Sequence, residues 1–107
     1  MPNLDEIMKM AQEAQAELQR ATDNLDKVEV EGISGGGLVR IRCSAKGRII
    51  AVDLDDSLMQ PSEKQMLEDL IAAAFNDARA KADEAAAGEM QKVTSGLPLP
   101  PGFKMPF

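Results

Sequence analysis

Three acids, one thiol and a run of glycines are the parts of this 107-residue chain whose types and spacing could do chemistry. Asp53, Asp55 and Asp56 offer oxygen ligands of the kind that magnesium or calcium takes. Their spacing does not complete a calcium loop, and strand pairing is expected to set Asp53 opposite Arg40. Asp55 and Asp56 then read as polar loop residues. Gly35-Gly36-Gly37 could cradle a phosphate, but no helix follows it. Arg40 stands where the dinucleotide fingerprint wants a glycine, and no lysine with serine or threonine follows as in a P-loop. The run reads as a hairpin turn. Cys43 falls on an apolar strand face, where a free cysteine is usually inert core. The chain has no histidine, so it lacks the commonest general base and metal ligand. No set of nucleophile, base and orienting group assembles. The expectation is a non-enzyme with no metal site and no cofactor.

The cations are weighed in the same way, against the contacts that a polyanion would need. Lys9, Arg20 and Lys27 lie on the first helix or at its end, Arg79, Lys81 and Lys92 on the second. Arg40, Arg42, Lys46 and Arg48 gather in a sheet hairpin. Against this stands a net charge of −6, which repels nucleic acid and anionic membranes at long range. Tryptophan and tyrosine are absent, and two of the three phenylalanines fall in the last five residues, so the body cannot build a stacking platform for single strands. Each helix carries more acids than bases, a pattern that also fits solvated, salt-bridged faces. The residues alone lead to a dimeric α+β binding module and do not by themselves single out nucleic acid. An acidic dimer of this kind could also be a protein-interaction adaptor.

These groups are positioned by four segments. A helix is expected from about Asn3 to Asp26, with Asn3 as N-cap and Glu6 completing a capping-box pair. Leu4, Ile7, Ala11, Ala14, Leu18, Ala21 and Leu25 step by three and four, a heptad seam. That seam suits either the chain's own sheet or another helix, including one from a second subunit. Alternation from Val28 to Leu54 predicts a three-stranded antiparallel meander. Closing the second hairpin at Lys46-Gly47 as a two-residue loop sets Cys43 opposite Ile50, Ile41 opposite Val52 and Val39 opposite Leu54. The other face then pairs Arg42 with Ala51 and Arg40 with Asp53, and takes Glu29 and Glu31 from the first strand.

A second helix is expected from about Ser62 to Val93, opened by Pro61 and a Ser62–Gln65 capping box, with Gly88 a point from which it could fray. Residues 1–95 form one α-β-β-β-α domain. Residues 96–107, rich in proline, form a tail that is either flexible, docked or a partner-binding peptide. Helices of about 36 and 48 Å overhang strands of about 23 Å. A second copy is therefore expected to cover them, giving a homodimer. One cysteine allows no internal disulfide, and no basic-then-apolar leader or membrane-length apolar run occurs, so a cytoplasmic location is expected.

Three strings carry a resemblance: VEGISGGGLVRI (Val30 to Ile41), LEDLIAAAFNDA (Leu67 to Ala78) and LPPGFKMPF (Leu99 to Phe107). With the element order, they resemble the YbaB/EbfC family of bacterial nucleoid-associated DNA-binding proteins over essentially the whole chain. The resemblance implies a tweezer-like homodimer held by a sheet-centred body. It implies non-enzymatic, largely sequence-independent binding of double-stranded DNA, with a nucleoid-associated role in nucleoid organisation or gene regulation. DNA contacts on the first and last helices are implied, and the matching positions are Lys9, Arg20, Lys27, Arg79, Lys81 and Lys92. Two departures stand out. Gln12, Gln15 and Gln19 replace lysines common on the family's first helix, and Asp55-Asp56-Ser57-Leu58 replaces the family's Asp-Pro-Ser-Leu.

Overall fold

A computed structural model describes residues 3–96, which form two α-helices and one small sheet. Helix α1 spans Leu4–Asn24, strand β1 Glu29–Ser34, β2 Val39–Ser44, β3 Ile49–Leu54, and helix α2 Lys64–Gly96. The sheet is an antiparallel meander in the order β1-β2-β3. The α+β class and element order follow the sequence pattern. The tail reading, apart from Gly96, lies outside the described residues.

Helix α1 starts where a cap is available: the Asn3 side-chain oxygen accepts from the Glu6 N–H at 2.8 Å. Its regular part stops at Asn24, two residues short of the expected end, and a 3-10 turn over Leu25–Lys27 leads into the sheet. The seam is divided. Ala14 and Leu25 are buried, while Leu4 and Ile7 remain exposed. The buried half of α1 packs on α2, while the turn that carries Leu25 also meets β2.

In the first hairpin Val30 faces Cys43, Gly32 faces Ile41 and Ser34 faces Val39. This puts Glu31 opposite Arg42, on the arginine face as expected. Gly36, at φ 69°, takes the left-handed turn that a side chain would resist. In the second hairpin Val39–Leu54, Ile41–Val52, Arg40–Asp53 and Arg42–Ala51 pair as expected. The end nearest the turn differs: Cys43 faces Ile49, not Ile50, through a bulge. The reason lies in the loop, which has three residues rather than two. Ser44 N–H donates to Arg48 O at 2.8 Å, and Gly47 N–H donates back to Ser44 O at 2.9 Å. Ala45 is the first of these three, and its N–H donates to Val28 O at 2.8 Å rather than across the hairpin.

Helix α2 lies over β1 and β2. Val39, Ile41, Cys43, Leu58, Ala74, Ala78 and Ala82 form the buried core. The alanines let the helix backbone descend onto the sheet at Gly32. A Cβ on Gly32 would run into the Ala74 carbonyl and the Ala78 backbone nitrogen. The helix opens through a 3-10 turn over Pro61–Glu63 with no side-chain cap on Gln60. Glu63 N–H bonds Gln60 O at 2.9 Å, so the helix proper begins at Lys64, later than the Ser62 cap would have set it. It continues through Gly88 to Gly96 without breaking there. Its 33 residues run about 50 Å, against about 20 Å for a six-residue strand.

Candidate nucleic-acid interface

Of the six cations expected to meet DNA, Lys81 is the one most firmly held by the fold. Its ammonium donates to the Glu31 carbonyl oxygen at 2.8 Å and lies 3.0 Å from Asp77 Oδ2. Asp77 in turn accepts from the Ile33 N–H at 2.9 Å. That hydrogen bond, and then Lys81, hold the Asp77 carboxyl below its usual range. The cluster ties the open edge of β1 to α2. Arg79 stands two residues away on a different flank of the helix, 3.8 Å from Asp83.

Arg20 lines the groove where the two helices pass, and Lys92 is joined to that groove through its pair with Glu89. Glu17, Arg20, Ala21 and Leu25 of this half of the chain line it with Glu89 and Val93 of α2. Arg20 pairs with Glu17 and Lys92 with Glu89 at 3.4 Å. Both pairs are exposed, so each is worth at most about 1 kcal/mol. Lys9, on the outer half of α1, and Lys27, in the turn below it, are exposed and make no ion pair among the described residues. The six cations are thus spread along both helices and the turn, and no site among the described residues gathers them.

The sheet hairpin holds its cations differently. Arg40 stands opposite Asp53, yet its guanidinium binds Glu31 at 2.8 Å. The expected Arg40–Asp53 pair is replaced because Glu31, one strand over on the same face, offers the better reach. Arg48 binds Asp26 at 2.9 Å; this bond, with help from Ser44, lowers the Asp26 carboxyl. Asp55 caps the turn after β3, accepting from Ser57 N–H at 3.0 Å and Ser57 O–H at 2.5 Å. These bonds lower its pKa and account for the acid without a cation. Cys43 is buried, and desolvation raises its thiol.

The YbaB/EbfC DNA-binding family matches residues 1–97. The chain belongs to this family. A nucleoid-associated protein of Methylocella silvestris is 50% identical over 101 residues, 94% of each chain. One from Rickettsia felis is 43% identical over 107 residues, covering both chains completely. The fold is shared with an uncharacterised Helicobacter pylori protein at a TM-score of 0.76. The likeness covers 88% of this chain and 99% of that one at 17% identity.

What the sequence pattern did not separate in this YbaB/EbfC chain is buried apolar strand surface from exposed. Ile49 and Val52 share the face of Cys43 and Ile41, but α2 does not reach them. Val52 is 50% exposed, and Phe75, on the flank of α2 toward β3, is 40% exposed. Alternation marks a face as apolar and is silent about how many strands one helix covers. The available signal was width: one helix, roughly 10 Å across, covers about two strands spaced near 4.8 Å.

Proposed function

We propose that this chain binds double-stranded DNA as a homodimer, through its phosphates and with little dependence on sequence. It thereby serves nucleoid organisation or gene regulation without catalysing a reaction. The observation that carries this reading is the family match over residues 1–97, joined to relatives at half identity that are named nucleoid-associated proteins. A location at the nucleoid follows from the same reading. No helix among the described residues is long and apolar enough to cross a membrane.

The second copy is proposed to cover β3. Ile49, Val52 and Phe75 form an exposed apolar patch beside a strand edge, a surface that a soluble monomer rarely leaves bare. A two-fold axis would set each patch on its twin and leave both pairs of helices to flank one duplex. Lys9, Arg20, Lys27, Arg79 and Lys92 would meet phosphates. Lys81 contributes least, because its ammonium would have to leave two acceptors.

Affinity then comes from counterion release, and the net negative charge keeps it modest. The reading assigns no base-reading side chain among the described residues, so unrelated duplexes of one length should bind alike. The test is a duplex titration at several salt concentrations, on protein whose solution mass is known. With about four of the dimer's cations on phosphates at once, the log–log slope is about −3.6. A slope near zero would sink the phosphate mechanism. Retained protein partners after nuclease treatment, with no gel shift at low salt, would favour an adaptor instead.

A further inference from the structure

The heptad seam of α1 is half covered. From Ala14 to Leu25 it packs on α2, while Leu4 is 71% exposed and Ile7 and Met8 are also open to water. An uncovered helical stretch of this length is marginal in water, so the outer half of α1 calls for an occupant. The chain supplies one in the right place. Helix α1 runs toward the sheet and α2 away from it, so the two are antiparallel where Glu89 and Val93 pass Glu17, Ala21 and Leu25. The described part of α2 runs to Gly96, one turn beyond Val93 and heading toward the open half of α1. From Ala14 out to Leu4 the helix rises about 15 Å. The residues that follow Gly96 are Leu97 to Phe107, eleven in number, with an extended reach of about 34 Å at 3.1 Å per residue.

Their chemistry is complementary. Leu97, Leu99, Phe103, Met105 and Phe107 are apolar, and Lys104 is the one charged side chain. The α1 stretch from Leu4 to Glu13 carries Asp5, Glu6 and Glu13 against Lys9. Four prolines restrict the segment in advance, which lowers the entropy lost on docking. We propose that residues 97–107 fold back along the outer half of α1 in the same chain. They cover Leu4, Ile7 and Met8 with their apolar side chains and set Lys104 among the helix's acids.

The test uses the full chain. A nitroxide on Met105→Cys reports position, since Cys43 is buried and its raised thiol pKa keeps it unreactive. The label should broaden the Ile7 methyl signals and leave those of Val52 sharp. Broadening at Val52 with Ile7 sharp overturns the proposal. In a mixture of spin-labelled chains with isotope-labelled, label-free chains, Ile7 should stay sharp; broadening there assigns the contact to a second copy and also overturns it. The triple variant Phe103→Ser, Met105→Ser, Phe107→Ser leaves the sheet and its helix contacts intact. It should speed amide exchange of Met8 to Gln12 by about tenfold while β2 is unchanged. Unaltered exchange in α1 counts against docking.

Discussion

Helix α2 meets the sheet in two ways, and the contrast explains which surfaces are closed within one chain. Over β1 and β2 the contact is built from small residues: Gly32 below, and Ala74, Ala78 and Ala82 above. Backbone approaches backbone, and the polar edge is tied by Ile33 N–H to Asp77 and by Lys81 to the Glu31 carbonyl. Beside β3 the residues are large, Ile49, Val52 and Phe75, and they stay exposed. Small residues let one helix seat deeply on two strands. A helix seated that deeply cannot also span the third.

The sharpest way to break the closed side is Gly32→Ala. The added methyl has no flexible side chain to displace, only the α2 backbone at Ala74 and Ala78. Lifting the helix would cost about 3 kcal/mol or more, read as a fall in the denaturation midpoint. A loss under about 1 kcal/mol would show that α2 rides higher over Gly32 than a backbone-to-backbone contact allows.

The open side should respond in the opposite manner. Val52→Lys places a charge on a surface that the monomer already exposes, so the fold should survive. A two-fold interface contains that change twice, so the dimer constant should weaken by at least about a hundredfold. Analytical ultracentrifugation with circular dichroism separates the two effects. A dimer that persists with lysine at position 52 would move the interface elsewhere, and unfolding would make β3 part of the closed core.

The sequence made one side of this contrast more legible than the other. The meander, the Arg40–Asp53 and Ile41–Val52 registers and the Asn3 cap all follow from local rules: period-two alternation, turn residues and a side chain near free N–H groups. The bulge at Ile50 did not, because it depends on Ala45 entering the loop while its N–H bonds Val28 instead of pairing across the hairpin. Gly32 could be placed on the apolar face, but its need for emptiness arises only when α2 descends on it. For the candidate interface, residue type located the cations. Only three-dimensional neighbours separate Lys81, held by Glu31 and Asp77, from Lys9 and Lys27.

That separation supports a smaller, more specific test. Lys9→Ala and Lys27→Ala should leave thermal stability nearly unchanged, and each cation withdrawn from a phosphate should make the salt slope shallower by about 0.9. Lys81→Ala should do the reverse, lowering the melting temperature with little change in slope. Equal slope changes for all three would mean that Lys81 leaves its acceptors to meet DNA, and that the β1 edge is less firmly tied than its distances suggest.

The smallest expected effect belongs to pH, and it should fall on the closed side alone. The carboxyl of Asp77 is held low by the Ile33 N–H and then by Lys81, so the folded state binds its proton less readily than the unfolded chain does. The stabilisation is therefore complete above the unfolded carboxylate range, near pH 4, and is lost as pH falls through the lower folded value. Asp26 and Asp55 shift the same way, so the wild-type acid limb sums all three. Asp77→Asn should flatten part of that limb and lower stability at neutral pH, because the amide keeps an acceptor for Ile33 but loses the attraction to Lys81. In the acid range the loosened β1 edge should show first as faster exchange at the Ile33 amide, with Val52 unmoved. If Val52 responds as early as Ile33, the two sides are one cooperative unit, and the division between closed and open surfaces concerns burial but not stability.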